Sequence, residues 1–263
     1  MSSKITANGI SINYRFDGPE DGPVVMLSNS LLSNLTMWDD QIAPLTAAGF
    51  RVLRYDQRGH GLTDAPEGPY SIRMFAEDVA GLLDALGLAK VHFVGLSMGG
   101  FVAQLMAIHH SEKIASLTLC DTACLMPPVS LWADRIATAQ AGGVAALADG
   151  TLQRWFTAPF HTSQPAEIAR VRAMIEGSNV QGYVGCAGAI RDMDQCALLG
   201  QIKKPTRVIV GEHDPACPVS AAEMLHQGIA GSDLVILRDA AHLPNIEQKE
   251  AFNAALLGFL TQQ

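Results

Sequence analysis

The stretch VHFVGLSMGG, Val91 to Gly100, passes from a strand-like apolar run into Gly-x-Ser-x-Gly-Gly, and FVAQLMAIHH then continues as a helix. A serine hemmed by glycines between a buried strand and a helix is a nucleophile elbow. The tight turn holds Ser97 in a strained backbone conformation, and the small Gly95, Gly99 and Gly100 let the helix pass close to the strand. The hydroxyl is thereby lifted above the sheet. It also lies at a helix N-terminus, where free N–H groups favour developing negative charge.

Similar apolar runs recur on both sides: VVMLSN from Val24, RVLRYD from Arg51, IASLTLCD from Ile114, TRVIVGE from Thr206 and LVILRD from Leu234. They read as buried strands of a mostly parallel sheet. Between them, SIRMFAEDVAGLLDALGL (Ser71 to Leu88) has apolar residues at helical spacing behind a capping serine, and NIEQKEAFNAALLGFLTQQ reads as a closing amphipathic helix. Strand and helix in alternation specify an α/β fold with right-handed crossovers. The alternation stops between about Thr122 and Gly200, where LWADRIATAQAGGVAALADGTLQRWF and PAEIARVRAMIEGS are helical. The expected organisation is a core of residues 1–121 and 201–263 with a helical cap, residues 122–200. Such an insertion lies as a lid over the crevice where open α/β sheets bind ligands.

Composition narrows the function classes. The chain has 263 residues, 48% of them hydrophobic, enough for one compact domain with a large core. Its net charge is −8 without a run of like charges, which argues against a nucleic-acid surface or a polybasic membrane anchor. The N-terminal MSSKITANGISINYRFDG lacks the apolar core of a signal peptide, and no apolar run reaches the ~18 residues of a membrane span. A cytoplasmic enzyme acting on small molecules is the expectation. Cys120, Cys124, Cys186, Cys196 and Cys217 are odd in number and form no CxxC pair or zinc-ligand spacing, so they read as reduced, mostly buried thiols.

A serine hydroxyl needs a base to become nucleophilic, and the base needs an acid to hold its tautomer. VGEHDPACPV sets Asp214 just past one strand, and RDAAHLPNIE sets His242 just past the last. The order serine, acid, histidine, each at a strand's carboxyl end, makes Ser97, Asp214 and His242 the candidate catalytic residues. Asp121, after SLTLC, is the competing acid; the other histidines read as surface or packing residues. An oxyanion formed at the serine needs preorganised donors, each costing ~3 to 4 kcal/mol when deleted. The backbone N–H of Met98 is one, and the loop SNSLLSNLTMW, with Asn29-Ser30 at its start, points to the N–H of Leu31 as the other. YDQRGHGLTDAP, Tyr55 to Pro66, lacks phosphate-loop spacing, and its His60 reads as a support of the site rather than its base.

The elbow GLSMGG, the loop LSNSLLSNLTMWDDQ, the run FRVLRYDQRGHGLTDAPEGPYS, the cap stretch LQRWFT and the end AHLPNIEQ resemble the 3-oxoadipate enol-lactonases of the α/β-hydrolase superfamily. The similarity spans nearly the whole chain. One departure is Ser30-Leu31-Leu32, where that family more often has Ser-Leu-Gly, and the bulkier Leu32 would reshape an acyl pocket. What the resemblance implies is an α/β-hydrolase fold and hydrolysis of an enol-lactone to 3-oxoadipate, without metal or organic cofactor. Such a substrate carries a carboxylate, which an acidic protein must bind through a local cation. At ~4 Å and an effective dielectric of ~20 that cation contributes ~4 kcal/mol. Arg135 and Arg154, in the expected cap, are the candidates, and Trp132, Trp155 and Phe156 are candidate pocket walls. The rival readings are a promiscuous carboxylesterase or perhydrolase, a carbon–carbon bond hydrolase, and a ligand receptor without catalysis. Oligomeric state is not legible.

Overall fold

A computed structural model describes residues 2–263 as an eight-stranded sheet flanked by helices. The strands are β1 (Ser3–Ala7), β2 (Ile10–Asp17), β3 (Val24–Ser28), β4 (Arg51–Tyr55), β5 (Val91–Leu96), β6 (Ile114–Cys120), β7 (Thr206–Gly211) and β8 (Asp233–Leu237). They lie in the order β1-β2-β4-β3-β5-β6-β7-β8. Every residue of β3 and β5 is buried, which is why those runs are continuously apolar rather than alternating. Pairing is antiparallel between β1 and β2 and between β2 and β4, and parallel from β4 to β8.

The helices are α1 (Asp39–Ala47), α2 (Ile72–Ala85), α3 (Met98–His109), α4 (Val129–Gly142), α5 (Ala148–Trp155), α6 (Ala158–Ser163), α7 (Pro165–Glu176), α8 (Val180–Arg191), α9 (Val219–Gly228), α10 (Pro244–Glu247) and α11 (Lys249–Leu260). Ser71 caps α2 as its sequence suggests, its hydroxyl oxygen accepting from Met74 N–H at 3.1 Å. Helices α4 to α8 follow one another between β6 and β7, and the extended chain there is an isolated bridge, Leu125 with Asp194. None of the helices among the described residues is long and apolar enough to cross a membrane.

Three features depart from expectation. The N-terminal residues form a hairpin, turned through Asn8 (φ 45°) and Gly9 (φ 77°), before the first anticipated strand. The closing helix is broken at Gln248, whose backbone leaves the helical region (φ −126°, ψ 51°) while its side-chain amide donates to the Asp239 carbonyl. The thiols are not all reduced: Cys124 and Cys196 form a disulfide, and Cys120, Cys186 and Cys217 are free and buried. The bridge closes because the segments after β6 and before β7 return to one another, with Gln195 N–H donating to the Cys124 carbonyl at 2.8 Å.

Candidate active site

The glycines of the elbow are dictated by contact. A Cβ on Gly95 would lie 2.3 Å from the Gly99 carbonyl oxygen, one on Gly99 2.2 Å from that of Ser28, and one on Gly100 2.5 Å from the Thr122 side chain. Ser97 has φ 53° and ψ −115°, a region that non-glycine residues rarely occupy. Hydrogen bonds hold it there: Ser97 N–H donates to the Cys120 carbonyl at 2.9 Å, and the Ser97 carbonyl accepts from the Thr122 hydroxyl at 2.8 Å and from the N–H groups of Gly100 at 2.8 Å and Phe101 at 3.2 Å. Ser97 is 8% exposed and, among the described residues, its hydroxyl makes no hydrogen bond.

Neighbouring strands carry the partners. Asp121 N–H donates to Ile209 O at the end of β6, and beyond β7 Asp214 N–H donates to Gly211 O at 3.1 Å. His242 Nδ1–H donates to Asp214 Oδ2 at 2.8 Å, and Asp214 Oδ1 accepts from Ala216 N–H at 2.7 Å and Cys217 N–H at 3.0 Å. The Asp–His half of the anticipated set is therefore assembled, with Nε2 of the imidazole left free for a reacting hydroxyl. Asp121 makes no hydrogen bond to His242: Oδ1 accepts from Gly211 N–H at 2.8 Å, and Oδ2 has no partner among the described residues. Burial, and next the charge of Asp214, push the Asp121 carboxyl well above the usual carboxylate range. Asp214, Cys217 and His242 present donor atoms within 4.8 Å of one another, but the short Asp214–His242 hydrogen bond occupies the space a metal ion would need.

The loop after β3 is braced on both sides of the Leu31 amide. Ser30 N–H meets Met37 Sδ at 3.4 Å and Leu32 N–H donates to His60 Nε2 at 3.0 Å, while Leu31 N–H between them has no acceptor among the described residues. Met98 N–H, at the first position of α3, is likewise free of a protein acceptor. Asn29 ties the two together, its carbonyl accepting from Gly99 N–H at 3.0 Å. His60 Nδ1–H points to the Arg58 carbonyl at 3.2 Å, so Nε2 must be the unprotonated acceptor, and burial holds the His60 pKa below its ordinary value.

A profile of the α/β hydrolase fold matches residues 23–249. The chain belongs to the α/β-hydrolase family. Within it, the resemblance to the enol-lactonases is upheld by 3-oxoadipate enol-lactonase 2 of Acinetobacter baylyi, 35% identical over 96% of this chain and 94% of that protein. Among solved structures, the enol-lactonase from Burkholderia xenovorans is similar at 40% identity and a TM-score of 0.96, covering 98% of this chain and 100% of that one. A hydrolase from Pseudomonas aeruginosa is 42% identical with a TM-score of 0.94, covering 98% of both chains. The chain is a hydrolase.

The helices between β6 and β7 of this α/β hydrolase bring two of the anticipated groups close together. Arg135 Nε–H donates to the Tyr183 hydroxyl at 3.1 Å, and both Arg135 and Arg154 reach the hydroxyl of Thr151 at 3.5 Å. Neither guanidinium forms an ion pair with a carboxylate among the described residues. Burial, then the charge of Arg135, pull the Arg154 guanidinium below its ordinary pKa. Trp155 lies with its ring centroid 6.4 Å from that of His242. Trp132 is a neighbour of the cations, its ring 5.5 Å beneath Arg135 and its indole N–H donating to Met126 O. Phe156 stacks on Phe160 at 4.9 Å. Sequence reasoning missed Thr151 and Tyr183. Thr151 had a signal, lying three residues before Arg154 on one helix; Tyr183 comes from a distant segment and had none.

Proposed function

We propose that this hydrolase opens an enol-lactone bearing a free carboxylate, the reaction named for its relatives being that of 3-oxoadipate enol-lactone. The observation that carries this reading is the pair of half-buried arginines, Arg135 and Arg154, that meet at Thr151 without an acidic partner. Two like charges held together in a cap favour an anion between them. A neutral ester gives them nothing to bind.

In the proposed reaction, His242 Nε2 takes the proton of the Ser97 hydroxyl as its oxygen attacks the lactone carbonyl, and Asp214 steadies the imidazolium. The N–H groups of Leu31 and Met98 receive the oxyanion. Collapse of the tetrahedral intermediate breaks the ring ester bond and releases an enolate oxygen, a better leaving group than an alkoxide, which takes the proton from His242. The enol becomes a ketone. Water, deprotonated by His242, then attacks the acyl carbonyl and frees Ser97. These steps call on no metal or organic cofactor.

The test is ultraviolet monitoring of enol-lactone loss beside hydrolysis of a neutral phenyl ester. Substituting Arg135→Met or Arg154→Met is expected to raise KM for the enol-lactone about tenfold or more while sparing the phenyl ester. Equal loss on both substrates, or no turnover of enol-lactone by the unaltered protein, contradicts the substrate assignment.

A further inference from the structure

The peptide units on either side of His242 are both anchored outside its own loop. Ala241 N–H donates to Glu247 Oε2 at 2.7 Å, and Leu243 N–H donates to the carbonyl of Trp155 at 3.2 Å. Glu247 Oε1 turns to the cap, accepting from Thr157 N–H at 2.8 Å and from the Thr157 hydroxyl at 2.6 Å. One carboxylate, on a residue 9% exposed, thus spans from the histidine loop to the segment Trp155–Thr157, which runs from the last residue of α5 to the start of α6. That same segment returns a bond to the histidine loop through the Trp155 carbonyl and sets its indole beside the imidazole.

We propose, on the reading of His242 as general base, that Glu247 is a positioning residue that locks the base to the cap. The imidazole is then in register with Ser97 only while Trp155–Thr157 is seated. Lifting that segment removes two of the three donors to Glu247 and the acceptor for Leu243 together. An ionised carboxylate suits this post because it accepts at both oxygens. Glutamine offers one accepting oxygen and one amide that donates, so either Ala241 N–H or Thr157 N–H faces another donor, and a buried N–H left unpaired drives the loop away. A displacement of about 1 Å at a catalytic group costs up to about 100-fold in rate.

The experiment compares full-length Glu247→Gln, Thr157→Val and His242→Ala on p-nitrophenyl acetate, with each rate divided by the folded fraction from circular dichroism. A neutral ester is used so that the cap arginines do not enter. Glu247→Gln is expected to lower kcat about 10- to 100-fold with KM near that of the unaltered protein, Thr157→Val to lower kcat less, and His242→Ala to be inactive. A Glu247→Gln kcat per folded molecule within about twofold of the parent, with His242→Ala inactive, overturns the positioning role whatever happens to the melting temperature. If Glu247→Gln does not fold, Thr157→Val decides, and an unchanged kcat there overturns the role. Activity in His242→Ala overturns the base reading itself.

Discussion

Asp121 is fully buried at the end of β6, with one oxygen accepting from Gly211 N–H at 2.8 Å and the other without a partner among the described residues. Asp214, one strand further on, accepts two backbone N–H groups and the imidazole. The first carboxyl is held towards its neutral form by burial and by the charge of the second, and only the second touches His242. Which of two aspartates serves the histidine was open in the sequence, because both follow strands; only hydrogen bonding separates them. Asp214→Asn is expected to lower kcat about 10⁴-fold, by leaving the imidazole in the wrong tautomer. Asp121→Asn, a neutral isostere at a site that disfavours charge, should keep kcat within about tenfold of the parent. Steady-state kinetics on one ester decide, and the reverse ranking would make Asp121 the acid.

The elements that place the site were legible where local pattern and burial agree. β3, β5 and the run into α3 are apolar because both sheet faces are covered, and the elbow glycines follow from contacts under 3 Å that no other residue permits. The N-terminal hairpin also had a signal, since Asn8-Gly9 supplies two residues at positive φ between alternating runs. The break at Gln248 did not, because it depends on a carbonyl, Asp239 O, contributed by another loop. His60 belongs to this scale as a brace of the oxyanion loop, and its acceptor role requires the neutral ring. Its folded pKa lies below its unfolded value of ~6.5, so the unfolded chain binds more protons as pH falls beneath that value. The stabilisation is therefore full above ~6.5 and is lost at lower pH. Urea midpoints should drop between about pH 7.5 and 5.5, and the drop should be shallower in His60→Asn. Parallel pH curves for the two proteins would remove His60 from the account.

For the molecule as a whole, the alternation of strand and helix announced an α/β sheet, and its interruption announced the helices α4 to α8. The disulfide was invisible, since an odd number of cysteines with no short spacing gives no pairing, and Cys124 and Cys196, 72 positions apart, meet only once the chain between them has folded. Closing a loop of that length is worth ~4 kcal/mol in chain entropy. The double variant Cys124→Ser, Cys196→Ser should unfold at a lower urea concentration, with an unfolding free energy reduced by up to ~4 kcal/mol, and reductant should bring the parent to the same midpoint. A midpoint insensitive to both would mean the bridge adds no stability. The strained Ser97 alcohol above the sheet is the proposed nucleophile, and intact-mass spectrometry after treatment with a fluorophosphonate reads out whether it reacts. One adduct, mapped to Ser97 and absent from Ser97→Ala, is the predicted result; an unlabelled protein, or an adduct that persists in the alanine variant, would contradict it.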